Sequence, residues 1–370
     1  MINSVAMTLS ISEQMLFELL RSGLKGTKAN PLLFDNATNG DWLDCYDLAV
    51  AQGVIAIAWD GVLTLPNELH PERSLRLQWA VTVDRIEQKH EYYCAVLCKL
   101  RDFYAKHNIE LLQMKGVGLS AYYPVPQHRE GGDIDIYTYS ADKAVLSDNQ
   151  ANSLADTLIQ ESGIEVCSDN SEKHSEFYYH NVPIENHKTF LNVENYRLAR
   201  KIEKRLYEVL EPSMVSMYND KYSFLVPSPE FNALFLSFHA AQHYESGLAL
   251  HHLCDWAVLI NRYGITLPND IEGGFREFID AMTVLCVKLL GCDGVSAQWS
   301  PLADELLDSM LYPKYGKELP QFGRLKLLVY KTKRFYYRNK RRNRVLNHSM
   351  LHSIYRSVVS HIKRPSTIFH

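Results

Sequence analysis

The sequence predicts an α+β protein in which a short mixed sheet is inserted between two helical modules. Three observations carry this. Residues 10–105 place apolar side chains at helical spacing, residues 108–187 switch to short runs with period-two alternation, and from Ser228 the helical period returns. A chain of 370 residues is long enough for two or three cooperating units, expected at 1–107, 108–225 and 226–370.

Composition narrows the class. Hydrophobic residues make up 46% and charged residues 22%, which excludes disorder, a collagen-like repeat and a disulfide-stapled miniprotein. No window approaches the ~18 consecutive apolar residues of a membrane-spanning helix. The start lacks a basic residue ahead of its apolar stretch, so no secretory leader is expected. The seven scattered cysteines read as reduced thiols of a cytoplasmic protein. A net charge of −4 conceals an asymmetry. Leu319–His370 carries 13 Lys and Arg and no acid, whereas the rest holds 26 Lys and Arg against 43 Asp and Glu, a net −17.

Taken in order, Ser10-x-x-Glu13 is a capping box opening a helix over Gln14–Arg21. Trp42 to Val54 forms a second amphipathic stretch, and Ser74–His107 a long helix with Leu75, Trp79, Val83, Ile86, Tyr93, Val96, Leu97 and Leu100 on its apolar positions. Ile109–Met114 is a buried strand running into a Lys115-Gly116 turn, followed by a helix Val117–Tyr123. Asp133–Tyr139 alternates strictly, as a half-buried strand does. A helix over Ser140–Glu161 and strands at Ile164–Val166, Glu176–Tyr179 and Val182–His187 follow, the last two joined as a hairpin at His180-Asn181. Beyond Ser228, Phe231, Leu234, Phe235 and Phe238 make one helical stripe, Leu248–Leu259 another, and Leu351–Ile362 a terminal one.

The chemistry concentrates at Lys115-Gly116 and Arg129-Glu130-Gly131-Gly132-Asp133-Ile134-Asp135. Alternation puts Asp133 and Asp135 on one face of a strand, ~7 Å apart along the chain. Two carboxylates at that spacing, beside a double glycine that lets a backbone approach, suit hard cations such as Mg²⁺. Two such ions clamp the attacking and leaving oxygens of a phosphoryl transfer. Glu185 supplies a third carboxylate in phase, with His187 on its face and Ile184 on the other. Asp-x-Asp alone is common on solvated strand edges; the glycines, the Lys115-Gly116 turn and the second acid-bearing strand shift the weight towards a metal site.

These same residues resemble a family. Lys115-Gly116, Tyr122-Tyr123-Pro124, Arg129, Gly132-Asp133-Ile134-Asp135 and Ile184-Glu185-x-His187 are similar to the uncharacterised nucleotidyltransferases of the polymerase-β-type superfamily. The similarity spans roughly residues 15–260 and includes Trp42, Ala49…Gly53-Val54 and His239…His243…Leu253-x-Asp255. It implies a nucleotidyltransferase-fold mixed sheet with helices packed on one side. It further implies that Asp133, Asp135 and Glu185 are catalytic metal ligands for two Mg²⁺ ions, with Mn²⁺ as a substitute. Lys115, Gly116, Arg129, Gly132 and His187 would contact the phosphates of an NTP such as ATP. The acceptor hydroxyl, on a small molecule, a protein or RNA, is left open. The chain departs from the pattern at Tyr137-Thr138, where aliphatic residues are usual, and at Glu185, where such sites often carry Asp.

Four other features have plainer readings. Arg129 can equally serve as a salt bridge to Glu130 or Asp133. His239, His243, His251 and His252 lack the acidic companion of a zinc-protease motif and read as core or cleft-lining histidines, with Asp255 pairing one of them. Cys94 and Cys98 share a helical face and read as packing. Lys331–Arg344 packs eight Lys and Arg around Phe335, Tyr336 and Tyr337, which is open to nucleic acid, to an anionic membrane surface, or to docking on the acidic remainder of the chain. The expected function is therefore Mg²⁺-dependent nucleotidyl transfer. A catalytically idle nucleotide-binding protein of the same fold and a nucleic-acid adaptor acting through the basic tail are the rivals.

Overall fold

A computed structural model describes residues 9–168, 173–193, 197–245, 247–265, 271–294, 298–315, 323–347, 350–351 and 353–355. Four helices come first: α1 (Ile11–Lys25), α2 (Asn39–Ala51), α3 (Ile55–Val62) and α4 (Arg73–Ala105). The box at Ser10 is present, with Glu13 N–H donating to Ser10 Oγ at 3.2 Å and Ser10 N–H to Glu13 Oε2 at 2.7 Å. It starts the helix three residues earlier than periodicity suggested. The unexpected α3 crosses α1 at reciprocal glycines. A Cβ on Gly23 would lie 2.3 Å from Ile57 O, and one on Gly61 would lie 2.4 Å from Leu19 O, so the backbones touch where no side chain fits.

The sheet contains β1 (Ile109–Gln113), β2 (Ile134–Ser140), β3 (Cys167–Ser168), β4 (His174–Tyr179), β5 (Val182–His187), β6 (Ser213–Met217) and β7 (Tyr222–Val226). Their order is β3-β4-β5-β2-β1-β7-β6, with β2–β5 and β1–β7 parallel and the other neighbours antiparallel. His180 and Asn181 turn the β4–β5 hairpin with φ of 48° and 60°, the left-handed pair a two-residue turn requires. Helices α5 (Val117–Ser120), α6 (Asp148–Glu161) and α7 (Arg197–Glu208) connect the strands. Three local expectations shift. Helix α5 stops before Tyr122-Tyr123-Pro124, and α6 begins at an Asp148 capped by the Ser147–Gln150 box because β2 runs on to Ser140. The strand expected at Ile164–Val166 is instead the two-residue β3 at Cys167–Ser168.

Helices α8 (Pro229–His243), α9 (Leu250–Tyr263), α10 (Gly274–Leu289), α11 (Pro301–Leu311) and α12 (Arg324–Leu346) complete the chain. The terminal stripe Leu351–Ile362 lies largely outside the described residues. Two cores result. One, with Ile134, Ile136, Ile184 and Phe224, is covered by the second half of α4 and by α6. The other gathers Leu16, Trp79, Tyr137, Phe190, Phe231, Leu253 and Leu306, so the helices before and after the sheet share one apolar interior. Helix α4 joins the two, contributing Leu75, Trp79 and Val83 to one core and Val96, Leu97 and Leu100 to the other. Position 107/108 lies between α4 and β1, and 225/226 lies inside β7, one residue before its end. Among the described residues no helix is long and apolar enough to cross a membrane, and the seven cysteines are unpaired.

Candidate active site

The parallel pairing of β2 and β5 builds the site. In register, Asp135 stands beside Glu185, with Ile134 beside Ile184 and Tyr137 beside His187. Ile134 and Ile184 bury on the α4–α6 side, which turns Asp133, Asp135 and Glu185 to the opposite face. One carboxylate oxygen from each of the three lies within 4.8 Å of the others. Asp135 is wholly buried, whereas the Asp133 and Glu185 side chains are 36% and 24% exposed, so the cluster is anchored at its floor and open at its rim.

Asp135 is held from two sides. Its Oδ1 accepts from Lys115 Nζ at 3.0 Å and from His187 Nε2 at 3.0 Å. Burial alone would raise this carboxyl, but Lys115 and the His187 hydrogen bond outweigh it and hold it well below the usual carboxylate range. Asp133 moves the other way, raised by burial and then by the charge of Asp135. Glu185 is lowered, first by its contact with His187. Desolvation pulls the Lys115 ammonium down, but Asp135 and Asp133 more than offset it, and its pKa is raised. Lys115 Nζ also stands 3.9 Å from Asp133 Oδ2, so one ammonium faces both aspartates.

The donor chemistry fits a hard divalent cation. Asp135 Oδ2 is buried and has no hydrogen-bond partner among the described residues, an oxygen that costs ~1–3 kcal/mol to leave unsatisfied. Three carboxylates gathered within 4.8 Å of one another suit Mg²⁺ or Mn²⁺. A cleft of about 340 Å³ opens beside Asp133 and Glu185, walled by Ile164, Cys167, Tyr178 and Pro183.

The turn residues divide. Gly116 adopts φ 63°, ψ −121°, and a Cβ there would meet Asp133 O at 3.1 Å, so this turn needs glycine to pass under the strand. Gly132 is exposed at the rim, its carbonyl accepting from Tyr93 Oη at 3.1 Å. Arg129 pairs with neither Glu130 carboxylate nor Asp133. Its guanidinium is bidentate on Asp255 of α9, at 3.0 and 2.9 Å, and Tyr123 Oη donates to the same carboxylate at 2.5 Å. Asp255 thus pairs with Arg129 instead of a histidine. His187 is completely buried, with Nδ1 3.3 Å from Thr189 O, and therefore sits beneath the carboxylates, where a nucleotide phosphate cannot reach its ring.

Two residues escaped the sequence reading. His174 is the register partner of His187, and its Nδ1 lies 3.8 Å from Glu185 Oε2. Glu203 of α7 accepts the amides of Phe190 and Leu191 at 2.9 and 2.8 Å and so pins the chain leaving β5. The first was readable, since a two-residue turn at His180-Asn181 fixes every pair outward to His174–His187. The second had no local signal. The odd Tyr137-Thr138 pair finds its reason here: Tyr137 packs on Phe190 at a centroid distance of 4.8 Å, and Thr138 donates to Asn186 while accepting from Asn152 of α6.

Three carboxylates thus stand on or beside two parallel neighbours of a mixed sheet. Residues 38–291 match the family described as uncharacterised nucleotidyltransferase. The chain belongs to that family. No curated protein matches it. Among solved structures, it is similar to an antigenic nucleotidyltransferase-like protein from Paracoccidioides brasiliensis, at 14% identity and a TM-score of 0.33, over 59% of this chain and 92% of that one.

Proposed function

We propose that the protein transfers a nucleotidyl group from an NTP to an acceptor hydroxyl, with Mg²⁺ held by Asp133, Asp135 and Glu185. The observation that carries this is the cluster of three carboxylates, one oxygen of each within 4.8 Å of the others, in which the buried Asp135 keeps Oδ2 without a hydrogen-bond partner among the described residues. In the reaction the acceptor oxygen bonds to the α-phosphorus, the bond from that phosphorus to the β-bridging oxygen breaks, and pyrophosphate leaves. The metal, when bound, would neutralise triphosphate charge and lower the cost of ionising the acceptor. Glu185, at the exposed rim, is placed to take the acceptor's proton. Lys115 holds Asp135 and Asp133 in register and offers its ammonium to the phosphates. Arg129 and His187 act through others: Arg129 fixes α9 to the loop before β2, and His187 orients Asp135. ATP is the first nucleotide to supply, and the reduced thiols favour a cytoplasmic setting.

The test incubates the protein with each α-labelled NTP, Mg²⁺ or Mn²⁺, and total cell RNA, beside an Asp133→Ala/Asp135→Ala control. Label on RNA or on the protein itself, dependent on both aspartates, supports transfer and begins to name the acceptor. Metal-dependent NTP binding without transfer to any hydroxyl compound supplied, small molecules included, would leave a nucleotide-binding protein. Absence of both sinks the proposal.

A further inference from the structure

Helices α8 and α9 bring a second donor set together. His239 and His243 are one helical turn apart on α8, and their Nε2 atoms stand 3.2 Å from each other. His252, in the first turn of α9, brings its ring to 5.2 Å from that of His243 and 6.0 Å from that of His239, centroid to centroid. One ring nitrogen from each of the three lies within 4.8 Å of the other two, and all three rings are half-buried rather than sealed.

We infer that His239, His243 and His252 form a binding site for a transition metal of the Zn²⁺ class. Tetrahedral Zn²⁺ with nitrogens at ~2.0–2.1 Å puts ligand atoms roughly 3.3 Å apart. The His239–His243 separation of 3.2 Å is close to that value, and a His252 ring nitrogen lies within 4.8 Å of both. His252 Nδ1 lies 3.2 Å from the Ala249 carbonyl and 3.3 Å from the Ala249 amide nitrogen, and the tautomer that carries its proton on Nδ1 and donates to that carbonyl leaves Nε2 as the ligand atom, the outer contact that metal-binding histidines usually have. His251 stacks on His252 at 4.0 Å but directs Nδ1 at Gln52 O, 3.3 Å away, and stands outside the set. Imidazoles with no carboxylate in the set select Zn²⁺, Co²⁺ or Ni²⁺ against Mg²⁺, so this site and the carboxylate site take different metals. Three ligands leave a fourth position open.

Metal-free protein titrated with Co²⁺, as a visible surrogate, and with Zn²⁺ tests this without any assay of turnover. The wild type should bind one equivalent with a tetrahedral Co²⁺ absorption band. His239→Gln and His252→Gln should each weaken binding at least 100-fold, while Asp133→Asn/Asp135→Asn and the neighbouring His251→Gln retain it. Absence of the band and of bound Zn²⁺ in the wild type overturns the assignment outright, whatever the variants' folding. So does binding that disappears with the aspartates and persists without the histidines, which would also separate this site's failure from that of the proposed reaction.

Discussion

Asp135 and Glu185 are register partners on parallel strands, and each reaches the same His187 Nε2, at 3.0 and 3.4 Å. One buried imidazole therefore spaces the two carboxylates that the sheet brings side by side. The arrangement explains why the more deeply buried of them is also the one held lowest in pKa: full desolvation is outweighed by Lys115 and then by His187.

Asp135→Asn should abolish nucleotidyl transfer, with a loss of at least ~10³-fold if electrostatic positioning dominates as it does in other phosphoryl transfers. It also leaves the 18%-exposed Lys115 beside a neutral amide, and breaking a buried pair in this way costs about 3–5 kcal/mol. Urea denaturation should show a lowered midpoint in the same variant that loses transfer. Asp133→Asn, at the open rim, should lose transfer with a much smaller change in stability. Equal destabilisation of both would contradict the floor-and-rim description.

How far this site was legible depends on how local each contact is. The Asp133–Asp135 spacing, the capping box at Ser10 and the His180-Asn181 turn were readable because each depends on a few consecutive residues. Helix α3 was missed because Ile55, Ala56, Ile57 and Ala58 are all buried, so no polar face marks a period. The β6–β7 hairpin was missed for another reason. Met214 and Ser216 are exposed, and β7 is placed by parallel pairing with β1, more than 100 residues earlier. Arg129 was expected on phosphate or paired with Glu130 or Asp133, whereas its carboxylate partner, Asp255, lies 126 residues away on α9. The basic segment is partly explained by docking: Arg342 pairs with Glu245, and Arg341 and Arg344 with Glu305.

That docking has a measurable hierarchy. Glu245 and Arg342 are 17% and 27% exposed, whereas Glu305 and Arg344 are 38% and 43% exposed. Glu245→Ala should cost about 1–3 kcal/mol, and Arg344→Ala less than about 1 kcal/mol, because water screens the second pair. Denaturation midpoints in low and high salt check both, with the Arg344 effect shrinking as salt rises.

The Arg129–Asp255 tether predicts non-additivity. Arg129 and Asp255 side chains are 10% and 5% exposed, so removing either leaves the other charge buried. Arg129→Met and Asp255→Leu should each destabilise by about 3–5 kcal/mol, and the double variant by clearly less than their sum. Arg129→Lys should rescue little, since an ammonium cannot reproduce the two parallel bonds at 3.0 and 2.9 Å. Additive single effects in a double-mutant cycle would show that the pair contributes nothing as a unit.

Glu203 makes a pH prediction of definite sign. Burial raises its carboxyl to about 7, the two accepted backbone amides only partly opposing it. Between the unfolded value near ~4.3 and about 7, the native state holds a proton that the unfolded chain has lost. The contribution is fully present below that window and is lost as pH rises through it, on the order of 3 kcal/mol in all for a shift of this size. Glu203→Gln carries no titrating proton, so its stability should fall less between pH 4.5 and pH 7.5 than that of the wild type, whatever its absolute value. Denaturant midpoints at those two pH values measure the difference directly. An identical pH slope in the two proteins would mean that Glu203 is ionised throughout, with the Phe190 and Leu191 amides outweighing its burial.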